Sequence, residues 1–187
     1  EEALAFLSGL GPGGAVMVKA LAGGGGRGMR PAHDAEELAQ VFERCASEAR
    51  SAFGDGALYV ERFMPRARHV EVQIMGDGRA VSHLWDRECS LQRQRQKVVE
   101  IAPADGLPIR VREALFEAAV ALGRAAKYRG LGMVEFLVEP GDEPDFVFIE
   151  ANPRLQVEHT VTEAVTGLDL VRIQVELAQG AALADLG

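Results

Sequence analysis

Phe146-Val147-Phe148-Ile149-Glu150-Ala151-Asn152-Pro153-Arg154-Leu155-Gln156-Val157-Glu158-His159 reads as a buried apolar strand that passes at once into densely packed polar chemistry. Upstream, Gly132-Met133-Val134-Glu135-Phe136-Leu137-Val138 is a second apolar run carrying one acid, and Pro140-Gly141-Asp142-Glu143-Pro144 between the two supplies the residues of a hairpin turn. Folding that hairpin with Pro140 opposite Asp145 sets Glu135 opposite Glu150. Directly opposed carboxylates lie about 5 Å apart and repel unless a cation stands between them. Strands rich in Phe, Val, Leu and Ile keep water from screening the pair, and Asn152 adds a hard oxygen two residues on. Such an oxygen-only set suits Mg2+ or Mn2+, ions that share their shell with substrate phosphates. The alternative is a solvated pair of acidic strands.

Composition bounds what the chain can be. Its 187 residues, 48% hydrophobic and 26% charged, fit one large or two small globular domains. A net charge of −8 argues against a nucleic-acid partner, which needs a basic face. There is no apolar run of bilayer length and no basic, signal-like start, so a cytoplasmic location, or the mitochondrial matrix in a eukaryote, is expected. Cys45 and Cys89 make no metal spacing and read as reduced structural thiols. Lys19, Lys97 and Lys127 are the only lysines beside 17 arginines, which singles each out as a point charge. A start at Glu1 and an end just past a helical pattern are expected of an excerpt from a longer chain.

Taken in order, Glu1–Leu10 predicts a short helix and Ala15–Ala20 a strand ending in Lys19. Gly23-Gly24-Gly25-Gly26-Arg27-Gly28 then allows backbone N–H groups to approach anionic oxygens, yet no Gly-Lys-Ser/Thr follows and no helix starts there. A flap over phosphates and a flexible linker are both open readings. Asp34 is placed to cap a helix over 34–53 with Glu37 three residues on, and 57–64 reads as a strand closed by Pro65. The boundary between two lobes, 1–64 and 65–187, is placed there.

In the second lobe, His69, Glu71 and Gln73 alternate with Val70, Val72 and Ile74, and residues 68–86 predict a hairpin around Gly76-Asp77-Gly78. His69 faces either a ligand or solvent, while His33 and His83 read as structural. Gln92-Arg93-Gln94-Arg95-Gln96-Lys97 reads as a basic loop, either solvated or handling an anion, that plunges into an apolar strand at Val98-Val99. Pro108–Tyr128 predicts an amphipathic helix with a stripe of Leu115, Ala119, Leu122 and Ala126, and with Lys127 favourably placed in its last turn. Two short helices, 160–166 and 169–179, complete an α+β inventory.

In these residues the sequence resembles the biotin carboxylase family of ATP-grasp enzymes, shared by acetyl-CoA, propionyl-CoA and pyruvate carboxylases. Val16–Ala20 with Gly23–Met29, Arg68–Glu71, Gln92-Arg93 with Gln96–Glu100, and Glu150–His159 match in order and spacing over nearly the whole chain. The resemblance implies an ATP-grasp fold: a small lid lobe, then part of a larger antiparallel-sheet C-terminal lobe, well under half of a complete biotin carboxylase. It implies that Lys19, Gly25 and Gly26 hold ATP phosphates, that Glu61, Arg62, Phe63 and Met64 lie along adenine, and that His69, Gln92, Arg95 and Leu137 complete the nucleotide site. It assigns metal to Glu135, Glu150 and Asn152, and bicarbonate to Lys97, Arg154, Gln156, Val157 and Glu158. Catalysis then falls to Arg154, Lys97 and Glu158, the last as general base for attack of bicarbonate on the γ-phosphorus of ATP, giving carboxyphosphate and then carboxybiotin.

The partners so implied are a biotin carboxyl carrier and a carboxyltransferase, in a parent that is a homo-oligomer and touches neither nucleic acid nor membrane. Arg95 stands where the family often has His, Arg62 where Lys is common, and Leu21-Ala22 where Ser-Gly is frequent. The rival readings are another ATP-grasp ligase of the carbamoyl phosphate synthetase kind, and a nucleotide-binding module inactive in isolation. Gln156–His159 together with Gln92–Lys97 favours biotin carboxylase over the first.

Overall fold

The computed structural model of the protein describes residues 1–23, 28–94, 96–141 and 145–186. Its contacts fall into two compact units, Glu1–Pro65 and Arg66–Gly187. Gly25, Gly26 and Arg95, expected at the nucleotide, lie outside the described residues, as do residues 142–144 of the expected turn.

The first unit is built on a three-stranded antiparallel sheet in the order β2-β1-β3: β1 is Val16–Ala20, β2 Met29–Ala32 and β3 Leu58–Arg62. Strand β2 is not foreshadowed by the sequence pattern, because Pro31 argues against a strand. As an edge strand, β2 tolerates a residue that cannot donate to the ladder. Helices α1 (Glu2–Gly9) and α2 (Ala35–Phe53) pack on this sheet through Leu7, Leu38 and Cys45, which meet Val16, Val18 and Ala32. Asp34 caps α2 as expected, accepting from the Glu37 amide at 2.8 Å, and Gly54 ends it in the left-handed region. The Glu37 carboxylate takes the amide of His33 rather than that of the cap residue.

The second unit is a five-stranded antiparallel sheet in the order β6-β5-β4-β7-β8, formed by β4 (Arg68–Asp77), β5 (Val81–Arg93), β6 (Gln96–Ile101), β7 (Arg129–Val138) and β8 (Phe146–Asn152). The alternation read in β4 sorts its residues by partner. Val70, Val72 and Ile74 join Val134, Phe136 and Val138 under helix α3 (Ile109–Ala125), whose Val111, Leu115 and Ala119 complete that core. A second apolar cluster joins Leu131 and Met75 to Leu170, Ile173 and Leu177 of α5 (Leu170–Ala178); α4 is His159–Thr166. Asp77 ties the β4–β5 turn to the chain's end: it accepts from the amides of Arg79, Ala80 and Leu183, and those bonds hold its carboxyl down at about 2.

Several expectations are corrected here. Residues 92, 93, 96 and 97 are strand rather than loop, since β5 runs to Arg93 and β6 starts at Gln96. Neither β6 nor β8 is a buried strand: both are edges, with Val98, Val99, Val147 and Phe148 exposed. Helix α3 stops at Ala125, so Arg124 is the basic residue of its last turn, while Lys127 lies beyond the cap with φ 48°. Leu122 and Ala126 of the expected stripe are exposed. Gly123 takes the inward place, where a Cβ would stand 2.8 Å from Val81.

Candidate functional site

Four side chains from four neighbouring strands form one row across the larger sheet. Arg87 of β5 is opposite Glu71 of β4, Glu71 is opposite Glu135 of β7, and Glu135 is opposite Glu150 of β8. Adjacent acids in such a row repel unless each gap is filled. Arg87, fully buried, fills the first, donating to Glu71 at 2.6 Å and also to Gln73 and to Thr162 of α4. Lys97 of β6 fills the second, with its Nζ in a short ion pair with Glu71, 3.1 Å from Glu135 and 3.4 Å from Glu158 at the cap of α4. Among the described residues, the third gap, between Glu135 and Glu150, holds no cationic side chain. There the Asn152 amide donates to both carboxylates, at 2.9 and 3.2 Å.

The opposition of Glu135 and Glu150 comes about differently from the expected turn. Glu139 donates to the Asp145 carbonyl, and Val138, Leu137 and Phe136 pair with Phe146, Val147 and Phe148, one residue out of the predicted register. A β-bulge at Ile149 then restores the register, so that Glu135, Val134 and Met133 meet Glu150, Ala151 and Asn152. Without the extra residue Glu135 would face Ile149, and Glu150 would point to the opposite side of the sheet.

Electrostatics follow from burial and partners. Burial alone would raise the Glu135 carboxyl, but a 2.6 Å hydrogen bond from His69 and the charge of Lys97 bring it down to about 2. Burial works against the charge on Lys97, and Glu71 and Glu135 outweigh it, holding the ammonium well above the ordinary lysine range. Gln92 donates to Nδ1 of His69 at 2.7 Å and to the Cys89 carbonyl at 2.8 Å, which directs the His69 Nε2–H at Glu135. Cys89 is fully buried, and burial pushes its thiol far up, as expected of a structural thiol.

The remaining expected residues are placed less closely. Gln156 is buried and its Oε1 has no hydrogen-bond partner among the described residues, Val157 is 89% exposed, and Arg154 stands exposed, bonded to the Leu155 carbonyl at 3.3 Å. Leu137 pairs with His69 across β4 and β7. In the first unit Lys19 forms a short ion pair with Glu61 of the adjacent strand and lies 6.0 Å from the Tyr59 ring. Arg62 closes β3, and Phe63, whose amide donates to the Ala15 carbonyl, and Met64 follow it. Glu71, Arg87, Gln73 and Thr162 did not enter the sequence reading as site residues. The one signal, the polar face of the β4 alternation, points to Glu71 and Gln73 and not to Arg87 or Thr162.

The profile described as "Carbamoyl-phosphate synthase L chain, ATP binding domain" matches residues 1–186. The chain belongs to this family. Within the carbamoyl-phosphate synthase ATP-binding family it is similar to pyruvate carboxylase of Aspergillus niger, 53% identical over 92% of this chain and 14% of that protein. Among solved structures it resembles biotin carboxylase of Campylobacter jejuni in a β,γ-ATP complex, 45% identical with TM-score 0.85 over 90% of this chain and 37% of that one. It likewise resembles the biotin carboxylase domain of 2-oxoglutarate carboxylase from Hydrogenobacter thermophilus, described in complex with MgADP, ADP and bicarbonate: 41% identical, TM-score 0.89, over 97% of this chain and 40% of that one. The chain thus spans about one seventh of the curated relative and about two fifths of the structural ones. The α+β, ATP-grasp architecture read from the sequence agrees with these likenesses.

Proposed function

We propose that this chain supplies the lid and the metal- and bicarbonate-handling part of an ATP-dependent biotin carboxylase. The observation that supports this most is the row of Arg87, Glu71, Glu135 and Glu150, in which protein cations fill two gaps and a neutral amide the third. Glu135 and Glu150 converge on one point, and an Asn152 amide turned end for end presents Oδ1 there, a donor set that fits Mg2+ or Mn2+. When bound, the metal supplies positive charge for the phosphate oxygens of ATP.

The chain's own residues do the rest. Lys97, held by Glu71 and Glu135, is a fixed cation beside Glu158, suited to hold bicarbonate while the Glu158 carboxylate takes its proton. His69, Gln92 and Leu137 lie on strands of the second unit and would serve the nucleotide; in the first unit the residues assigned to it are Lys19, Glu61, Arg62, Phe63 and Met64. Arg154 is exposed and would join the anion on its arrival. The carbon acceptor is biotin on a carrier, and a carboxyltransferase then uses the carboxybiotin. We place the complete enzyme in the cytoplasm, or in the mitochondrial matrix of a eukaryote, as a homo-oligomer.

The test is Glu158→Gln in the complete carboxylase, which keeps the side chain's size and removes its basicity. Bicarbonate-dependent ATP cleavage falls about 10²- to 10⁴-fold while nucleotide affinity holds. Retention of full bicarbonate-dependent cleavage overturns the assignment.

A further inference from the structure

One acid beside the row has no place in the scheme above. Glu100 of β6 brings a carboxylate oxygen within 4.8 Å of both Glu71 and the Cys89 thiol. Its Oε2 is buried and, among the described residues, has no hydrogen-bond partner. The nearest cation is Arg87, whose Nε is 3.6 Å away and already donates to Glu71. The other cation, Lys97, is committed to Glu71, Glu135 and Glu158. Among the described residues, Glu71, Glu100, Glu135 and Glu158 therefore face two permanent cations, and Glu100 is the acid whose negative charge the surroundings support least.

We propose that Glu100 is a positioning residue for the anion that Glu158 serves: as a neutral carboxylic acid it leaves the positive field of Lys97 and Arg87 open to that anion, and as a carboxylate it cancels part of it. This rests on the reading of Lys97 and Glu158 as the bicarbonate site. Burial first, then the charges of Glu71 and Glu158, lift the Glu100 carboxyl to about 7 against the pull of Lys97 and Arg87. The groups facing it are Glu71 from β4, Arg87 and Cys89 from β5, Lys97 from its own strand and Glu158 from the start of α4. Above neutrality the proton leaves for solvent and the pocket gains one negative charge. Glu100 makes no bond to substrate at any step.

The coupling to Glu158 runs both ways. The Glu158 carboxylate helps keep Glu100 protonated, so when Glu158 accepts a proton in the reaction, Glu100 ionises more readily. The same exchange limits how far the site's net charge swings during turnover.

The experiment measures the KM for bicarbonate ion, separately from kcat, for ATP cleavage by the complete carboxylase from about pH 6 to about pH 9, a range that brackets a carboxyl titrating near neutrality. For the native enzyme KM rises about 3- to 10-fold as pH passes through about 7, the scale of one added charge at partly screened distance. Glu100→Gln is neutral at every pH and keeps the low-pH KM throughout, whereas Glu100→Asp restores a rise. Parallel profiles for native enzyme and Glu100→Gln overturn the proposal. So does a flat native profile, which needs no variant. A Glu158→Gln enzyme that still cleaves ATP in response to bicarbonate overturns the underlying site reading instead, and Glu100 falls with it.

Discussion

In the unit built on β1–β3, Arg44 reaches Glu48 and His33 reaches Glu37 in pairs largely open to water, while Arg30–Glu48 and Lys19–Glu61 are partly covered. In the unit built on β4–β8 charged side chains meet inside, where Arg87, Glu71 and Gln73 are fully buried and Glu135 nearly so. Surface pairs are screened and loosely held, whereas buried ones are strong only if every lone pair and proton finds a partner. On the function proposed above, the buried arrangement is the one suited to hold an anion and a metal in fixed positions.

The sharpest way to break this contrast is Arg87→Met. Removing the buried guanidinium takes its donor from Glu71 Oε1, Gln73 Oε1 and Thr162 Oγ1, leaves Lys97 as the cation on Glu71, and destabilises the second unit by about 3–5 kcal/mol. Trp85, the one tryptophan of the chain, lies in that unit, so urea unfolding followed by its fluorescence measures the loss. A change like that of a surface pair would erase the distinction between the two units.

Asp77 sharpens it through pH. Its folded carboxyl, held at about 2 against an ordinary 3.8, contributes stability that is full above about 4 and lost as pH falls toward about 2. Asp77→Asn removes that acid-side slope in the same fluorescence assay. In the first unit, Asp34→Ala deletes the cap of α2 and costs about 1 kcal/mol, read as faster amide exchange over the first turn of the helix. Smallest is Arg44→Ala, whose exposed pair with Glu48 is screened by water, so its loss leaves the urea midpoint almost unmoved.

The sequence showed best what is local. The Asp34 cap, the β4 alternation and the apolar runs around Glu135 and Glu150 each depend on neighbours within a few residues. Strand β2 escaped because Pro31 is tolerated only at an edge, and edges are set by the rest of the sheet. The pairing of Glu71 with Glu135 escaped as well, because β4 and β7 are joined through β5, β6 and α3, and no short turn fixes their register. Arg87 and Glu100 were passed over for the same reason: each looks like an ordinary surface charge until its strand is placed between its neighbours.

The bulge at Ile149 makes the chemistry of β7 and β8 indifferent to the turn that joins them. Parity between the two acids is reset after the turn, so residues added or removed between Glu139 and Asp145 alter the loop and leave the opposition of Glu135 and Glu150 alone. Deleting Ile149 keeps the loop and inverts the strand's faces beyond it, sending Glu150 and Asn152 away from Glu135 together. One inserted residue thus works as a reading frame for the sheet, separating a stretch free to change length from one that is not.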